Sequence, residues 1–250
     1  GLIGQLPMKG GKPQYNIYNT DAVWGAQWNL SQLWTLAYPE YMSEFISSHL
    51  QFYKDTGWLA DGLANNRYVS GVGTNLLSTI IAGAYQCGIS DFDTKLAYEA
   101  CLKNELDGKD RPFGAGKVNT AEFVKYGYVP HRDQGEGYHE TFMFSASHTL
   151  EYSYSAWAVA QWAKRLGDKV NYDKLMYLSK GWERLYDQSC NFIRPRKADG
   201  QFIDDFNPME VWRGFQEGNA WQYTFYVPHD VKGLIKKLGT EEFSLRLDSI

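Results

Sequence analysis

A single carboxylate, Glu217, lies near the C-terminal end of the chain in a run of amide and aromatic side chains. Gly218 follows it directly, and a residue without a Cβ allows the backbone to turn there or another group to approach closely. The neighbours that supply hydrogen-bond donors, acceptors and flat apolar rings are Gln216, Asn219, Trp221, Gln222, Tyr223, Phe225 and Tyr226. The stretch therefore combines one acid–base group with both polar and apolar surface.

This setting predicts general acid chemistry. A carboxyl group packed among aromatic rings loses part of its hydration, and that loss favours the neutral, protonated form. A carboxyl that keeps its proton near neutral pH is what a general acid requires. A sugar has apolar C–H faces and a polar rim, which match ring faces and amide edges. We therefore expect a carbohydrate site in which Glu217 donates a proton.

The composition narrows the function classes. The 250 residues are enough for a large core, and the 9 Trp and 18 Tyr are typical either of such a core or of a carbohydrate cleft. The net charge of −4, without a basic stripe, argues against a nucleic-acid partner. There is no run of 18 apolar residues that would span a membrane. Three cysteines without metal or redox spacing are predicted to be buried thiols: Cys87, Cys101 and Cys190.

Helical periodicity dominates the chain. Segments that are apolar on most sides alternate with amphipathic segments, of which the clearest begins at Pro39 and ends at Gly57. Such an alternation of inner and outer helices predicts an all-α fold, an (α/α)6 toroid or barrel that is incomplete in this chain. The four pairs of segments are 24–36 with 39–56, 75–88 with 93–106, 147–166 with 171–187, and 218–226 with 230–238.

The segments between the helices complete the predicted layout. Residues 1–20 are expected to be a loop or linker lead-in, because glycines and a proline interrupt them. A long loop from Asp107 to about Ser145 is typical of a functional segment. A small β-hairpin insertion is predicted over 192–203. Because Ile250 ends the sequence inside an amphipathic stretch, we interpret residues 1–250 as part of one domain of a longer chain.

A resemblance to a known family adds to this interpretation. Glu-Gly-Asn-Ala-Trp-Gln-Tyr at 217–223, with Val-Pro-His-Asp at 227–230, resembles the hallmark of glycoside hydrolase family 92. Ser-His-Thr-Leu-Glu-Tyr-Ser-Tyr at 147–154 and Asn-Phe-Ile-Arg-Pro-Arg at 191–196 are similar to the family's sequence at similar spacing. The resemblance implies an (α/α)6 catalytic domain and calcium-dependent, exo-acting α-mannosidase activity with inversion of configuration.

The resemblance also implies roles and partners. Glu217 matches the family's general acid, which protonates the leaving glycosidic oxygen. An inverting enzyme holds its acid and base about 6.5–9.5 Å apart, and the resemblance places the base and the main calcium ligands beyond Ile250. No metal ligand is therefore named in this chain. The substrate implied is a mannose-containing glycan, the location periplasmic or extracellular, and the rest of the polypeptide includes an N-terminal β-sandwich domain.

Two positions depart from the family's pattern. Gly25 and Ala26 follow Trp24 where many members have Trp-Asp-Thr, and Asn75 follows Thr74 where many have Ser-Asp. Both changes remove charge from the expected sugar site, so they leave open the exact substrate and the activity. We expect Gln27, Trp28 or Asn75 to compensate. The candidate substrate-binding residues are Trp24, Gln27, Asn75, Asn219 and Trp221.

Simpler explanations stand beside these roles. Glu217 could be a helix N-terminal carboxylate stabilised by the helix dipole, which would oppose a role as a proton donor. Glu151 is explained more readily as a structural partner than as a catalytic group, and His49 as a core residue. His148 and His229 suit caps or site walls. Trp24 and Trp221 suit either a core or a sugar platform, and Asp204-Asp205 a solvated turn.

Three functions remain at this point. The first is an exo-α-mannosidase that trims mannose from glycans. The second is a carbohydrate-binding or scaffold protein that has lost turnover, which Gly25 and Asn75 suggest. The third is another (α/α)6 glycosidase with a different linkage preference.

Overall fold

The computed structural model describes residues 8–19, 23–64, 67–69, 74–133 and 142–250, and helices dominate them. The predicted all-α class with small β-hairpins is confirmed. The α-helices are α1 (Val23–Ala26), α2 (Leu30–Ala37), α3 (Pro39–Thr56), α4 (Leu77–Gln86), α5 (Thr94–Leu106), α6 (Thr120–Tyr126), α7 (Ser145–Leu166), α8 (Lys169–Leu178), α9 (Gly181–Leu185), α10 (Ala220–Tyr223), α11 (Val231–Leu238) and α12 (Thr240–Leu247). The antiparallel strand pairs are β1 (Met8–Lys9) with β2 (Lys12–Pro13), β3 (Gly62–Ala64) with β4 (Arg67–Val69), and β5 (Tyr186–Asp187) with β6 (Phe192–Ile193).

The chain divides into two compact units. The first comprises the described parts of Gly1–Thr120 together with Ala158–Leu175, and the second comprises those of Ala121–Trp157 together with Met176–Ile250. Among all described residues, no helix combines the length and the apolar character needed to cross a membrane.

In the first unit, α3 has the predicted bounds. Pro39 occupies its first turn, and Gly57 ends it in the left-handed conformation with φ of 79°. The predicted apolar face is buried along its whole length, at Met42, Phe45, Ile46, His49, Leu50 and Tyr53. The α4–α5 pair follows, and Asp93 caps α5 by accepting a hydrogen bond from the Leu96 amide at 3.0 Å.

His49 on α3 is a core residue, as expected, and it makes the first unit sensitive to acid. Its side chain is fully buried against Phe45, with ring centroids 4.6 Å apart, and neither ring nitrogen has a hydrogen-bond partner among the described residues. Burial lowers the pKa of His49 to about 3. The unfolded state, with a pKa near 6.5, binds the proton first as the pH falls, so acid favours unfolding.

We therefore expect the full-length protein to lose about 2–3 kcal/mol of stability between pH 7 and pH 4.5 through His49 alone. His49→Met removes the titrating group and keeps an apolar side chain of similar volume. Urea denaturation of both proteins at each pH should show that the free energy of unfolding decreases less for the variant than for the parent as the pH falls. Parallel pH dependences would contradict this account.

Two segments of the first unit differ from the sequence-based expectation. The inner helix predicted over 24–36 is interrupted at 27–29, and its second half is not buried, because Leu30, Leu33 and Leu36 are 37–85% exposed. Apolar composition without a polar face cannot distinguish a buried helix from an exposed apolar one. Between α3 and α4, the β3–β4 hairpin was not expected.

The second unit contains the start of α7 and the segment after Met176. The predicted helix over 171–187 is two helices, α8 and α9, with a break before Gly181. A Cβ on Gly181 would lie 2.7 Å from Ser153 Oγ and 2.8 Å from the Gly127 carbonyl oxygen, so the glycine allows a close crossing. The core around it includes Leu150, Trp182, Leu185, Phe215, Val227 and Leu234.

Smaller predictions in the chain are corrected in detail. The expected hairpin over 192–203 has only an isolated antiparallel bridge, Arg196 to Phe202. Strand β6 pairs instead with β5, the strand that precedes it in the chain. The expected long loop contains α6. Of the three cysteines, Cys101 is buried as predicted, but Cys87 is exposed and Cys190 is half-buried. Residues 1–7 of the expected lead-in lie outside the described residues, and 8–13 form the β1–β2 hairpin.

Candidate active site

Glu217 lies in a tight loop of the second unit, residues 212–218, which we call the Glu217 loop. The Trp212 amide donates a hydrogen bond to the Gly218 carbonyl at 3.1 Å and closes the loop. Trp212, Gly214 and Glu217 have φ of 71°, 93° and 55°, in the left-handed region. Two of these are not glycine, and such a conformation costs about 1–3 kcal/mol at each. Strain of this kind gathers at functional sites, which supports a role for the loop beyond connecting elements.

The first turn of α7 holds the loop in place. The Gly214 carbonyl accepts hydrogen bonds from the Ala146 and Ser147 amides at 2.9 and 3.1 Å, so it caps the start of the helix. The Ser147 hydroxyl accepts a hydrogen bond from the Gln216 amide at 3.1 Å. Gly214 also packs against Pro195, because a Cβ there would come within 2.2 Å of the proline Cγ. Helix and loop are thus tied together by main-chain groups.

Gln216, directly before Glu217, is fixed by side chains as well. His148 Nε2 lies 3.3 Å from Gln216 Oε1, and the Tyr223 hydroxyl donates to the Gln216 carbonyl at 2.8 Å. Burial lowers the pKa of His148 to about 4, so the ring is neutral at pH 7 and donates from Nε2 to the amide oxygen. His148 is therefore a buried wall beneath the loop, in agreement with one of the two predicted roles. The result is a main chain that presents Glu217 in one orientation.

The side chain of Glu217 is exposed, whereas we expected it to be partly buried among aromatic rings. The rings pack against the buried part of the loop instead. Tyr223 lies with its centroid 5.6 Å from that of Phe215, and a Cβ on Gly218 would come within 2.9 Å of the Tyr223 ring. Gly218 thus allows the close approach that was predicted for it. Within this chain, the carboxyl of Glu217 is open to a ligand.

A second carboxylate acts electrostatically on Tyr223, as Glu217 does. Glu151, on α7, is 3% exposed. The pKa of the Tyr223 hydroxyl is raised, first by burial and then by the negative charges of Glu151 and Glu217. The pKa of Tyr226 is raised by burial and by Glu151. Both phenols therefore stay protonated, and the Tyr223 hydroxyl serves as a neutral hydrogen-bond donor to the Gln216 carbonyl.

Glu217 does not cap the helix that follows. Asn219 is the N-cap of α10: its side chain accepts from the Gln222 amide at 3.1 Å, and Gln222 Oε1 accepts from the Asn219 amide at 3.2 Å. This capping box satisfies the start of α10 without a carboxylate. Glu217 lies two residues before the cap, so the simpler explanation of it as a helix N-terminal carboxylate loses its basis.

The sugar-binding candidates of the second unit, Asn219 and Trp221, also make contacts within the protein. Trp221 is half-buried, with its ring 5.4 Å from that of Phe192 and below the guanidinium of Arg246 at 5.7 Å. Its remaining surface faces a pocket of about 390 Å³ that it shares with Asn219. The full lining is Met209, Asn219, Trp221, Gln222, Ser249 and Ile250. Trp221 therefore makes a core contact and also lines this pocket, whereas its use as a sugar platform stays a prediction.

The candidates near the start of the chain belong to the first unit. Asn75 is fully buried, and its amide nitrogen donates to the carbonyls of Leu59 and Gly116, both at 3.1 Å. Its side chain therefore joins two loop segments. Gln27 is 3% exposed, and Trp24 is half-buried against Trp28, with ring centroids 6.2 Å apart.

Sequence reasoning missed Trp212 altogether. A left-handed φ at a tryptophan leaves no mark in a sequence, and the closure of the loop depends on main-chain groups. The nearby Gly214 was the one available signal, because a glycine often marks a left-handed position or a close contact.

Among the described residues, acidic, cysteine and histidine side chains form no metal-binding cluster. Calcium takes six to eight oxygen ligands, and among the described residues no group of three or more His, Cys, Asp or Glu side chains could hold a metal ion. Glu151 and Glu217 alone do not make up such a set.

Comparisons with known proteins agree with this geometry. A secreted glycosidase of Arthroderma benhamiae, itself uncharacterized, is 31% identical over 232 residues, which are 80% of this chain and 29% of that protein. The structure is similar to a family GH92 inverting mannosidase from Bacteroides thetaiotaomicron, with 26% identity, a TM-score of 0.85 and coverage of 95% of this chain and 31% of the other. It is also similar to a family GH92 α-mannosidase of that organism in complex with mannoimidazole, with 26% identity, a TM-score of 0.81 and the same coverage.

This chain spans about three tenths of the length of each of these relatives. Over that part, it has the fold class of the (α/α)6 enzymes that it resembles. Residues 6–250 match the glycosyl hydrolase family 92 catalytic domain, which is nearly the whole chain. The chain therefore belongs to glycosyl hydrolase family 92.

Proposed function

We propose that the protein carrying this chain is a glycoside hydrolase that releases terminal α-linked mannose from glycans with inversion of configuration. Residues 1–250 are part of its (α/α)6 catalytic domain. The observation that carries the proposal is Glu217 itself, an exposed carboxyl presented by a strained loop that α7 holds in place. Mannosidases of the same family with similar structures support mannose as the sugar.

In this proposal Glu217 is the general acid. Its exposed carboxyl is open to the oxygen that joins mannose to the rest of the glycan. We propose that the bound glycan supplies the desolvation that favours the protonated form, so that the carboxyl donates a proton to that oxygen as the bond breaks. The fixed main chain of the Glu217 loop reduces the entropy lost in aligning acid and substrate. The base that activates water, and the calcium that the family uses, are assigned to residues outside this chain. Glu151 has a structural role beneath the site.

The proposal also covers the location of the protein and the rest of its polypeptide. We infer a periplasmic or extracellular location, which the secreted relative supports, and a longer polypeptide that includes an N-terminal β-sandwich domain. Trp24, Gln27, Asn219 and Trp221 are proposed to contact the sugar. Asn75, the fifth candidate from the sequence, is fully buried, and its amide joins the Leu59 and Gly116 loop segments of the first unit.

A carbohydrate-binding relative without turnover is the second candidate. Gly25 is the observation that favours it, because a Cβ at this position would meet no atom of the described residues within 4 Å. Packing therefore does not require a glycine where many family members carry a carboxylate. A missing sugar contact at this position would lower turnover and could leave binding intact.

The test is mannose release by the full-length protein from α-linked mannobioses. We expect release with β-mannose as the first anomer seen by NMR, because inversion converts an α-linkage into a β-product. Release should stop with EDTA and return with added calcium. Release of α-mannose first would contradict inversion, and binding of mannobiose without any release would favour the carbohydrate-binding relative.

A further inference from the structure

Trp212 is an exposed aromatic side chain at the beginning of the Glu217 loop. It is 42% exposed and holds a φ of 71°, which few side chains adopt. We propose that its ring is a stacking platform for the sugar on the leaving-group side of the scissile bond. This inference rests on the proposed function, because it takes Glu217 as the proton donor.

The position of Trp212 follows from the closure of the loop. Its amide contacts the carbonyl of Gly218 at 3.1 Å, so the backbone of Trp212 lies beside the residue that follows Glu217. A general acid must reach the oxygen between mannose and its leaving group. A ring that starts beside that acid is therefore placed next to the leaving sugar, whose C–H face can lie flat on an indole.

The ring is also held in place, which a platform requires. Its centroid lies 5.8 Å from that of Phe144. The next residue, Arg213, donates to Asp133 Oδ1 at 2.9 Å and to the Asp205 carbonyl at 3.3 Å. These contacts anchor the beginning of the loop while much of the indole stays open. A pre-positioned ring loses little freedom when a sugar binds.

Packing alone does not explain why a tryptophan occupies this left-handed position. A residue in a left-handed conformation costs free energy, and 42% of the Trp212 side chain stays exposed, so that part of the ring contributes nothing through burial. Glycine at the same position would close the loop with less strain. An exposed ring whose backbone lies beside Gly218 is the feature that only the aromatic side chain supplies.

The experiment compares two substrates of the full-length protein. An α-linked mannobiose has a sugar as its leaving group, whereas α-mannosyl fluoride has none and fluoride leaves without protonation. Trp212→Ala should lower the ratio of kcat/KM for mannobiose to that for the fluoride by about tenfold. Trp212→Phe should keep the ratio within about threefold of the parent, because it retains a flat ring. Val211→Ala, at the neighbouring exposed apolar residue, should leave the ratio within about twofold.

The outcomes separate the two proposals. If the parent hydrolyses neither substrate, the proposed function fails and the platform with it. If the parent hydrolyses both and Trp212→Ala leaves the ratio as it was, the platform is overturned while the function stands. Failure of Trp212→Phe to retain the ratio would also overturn it, since a flat ring would then not be the feature that matters.

Discussion

Glu217→Gln should lower kcat/KM of the full-length protein for an α-mannobiose by about 10²–10⁴-fold. Glutamine has nearly the same shape as glutamate but no proton of suitable acidity to give to the glycosidic oxygen. Because Glu217 is exposed, the change leaves no buried group without a partner. We expect stability to change by less than about 0.5 kcal/mol, so the loss would report chemistry rather than folding. Mannose release at saturating and limiting substrate measures it.

Two controls sharpen this prediction. α-Mannosyl fluoride needs no proton donor, so Glu217→Gln should retain most of the parent's activity on it. Glu210, an exposed carboxylate shortly before the Glu217 loop, provides the matched variant. Glu210→Gln should change kcat/KM for mannobiose by less than about threefold. If Glu217→Gln also has so small an effect, Glu217 is not the acid.

The sequence predicted the identity of the candidate acid but not its setting. Glu217 among amides and rings, with a glycine after it, was visible directly. The expected burial was wrong, because the rings of Tyr223 and Phe215 pack under the loop. The left-handed φ of Trp212 accompanies a hydrogen bond within its own short loop, and the anchoring of Gly214 depends on main-chain hydrogen bonds to α7, which is distant in sequence. No local pattern encodes those bonds.

Some helix bounds could likewise be predicted from the sequence, and others could not. The bounds of α3 were predicted because its signals are local: a proline at the start, a regular apolar face and a glycine at the end. The bounds of α5 and α11 follow from the aspartates that cap them. The break between α8 and α9 could not be predicted, because it depends on where Gly181 crosses Ser153 and the Gly127 carbonyl. Local sequence signals therefore determine the ends of these helices, whereas a close contact with a distant part of the chain determines where a helix is interrupted.

A buried ion pair in the first unit was likewise invisible in the sequence. Lys117 lies in the segment predicted as a long loop, yet it is 1% exposed, with Nζ 2.5 and 2.6 Å from the two carboxylate oxygens of Glu105. Ser78 donates to the same carboxylate at 2.6 Å and accepts from Asn104 at 2.7 Å. Asn104 also donates to the Asn75 carbonyl at 3.2 Å. This buried network links the loop to α5 and to the start of α4.

Lys117→Met should lower the free energy of unfolding by about 3–5 kcal/mol, the second large effect that we expect. The substitution fills similar volume but leaves the charge of Glu105 buried without its counter-ion. Urea denaturation of the full-length protein would measure the loss, and hydrogen exchange at the amides of α4 and α5 would locate it. A double variant, Lys117→Met with Glu105→Gln, should recover part of the loss because it also removes the buried charge.

An exposed pair serves as the comparison. Lys169 and Asp173 on α8 are 2.5 Å apart, as close as the buried pair, but their side chains are 81% and 56% exposed. Lys169→Met should therefore cost less than about 0.5 kcal/mol, because water replaces the lost partner. Equal losses for the two variants would show that burial does not set the strength of the Lys117–Glu105 pair. A much larger loss for Lys117, with recovery in the double variant, would show that the desolvated charge of Glu105 is what the lysine stabilises.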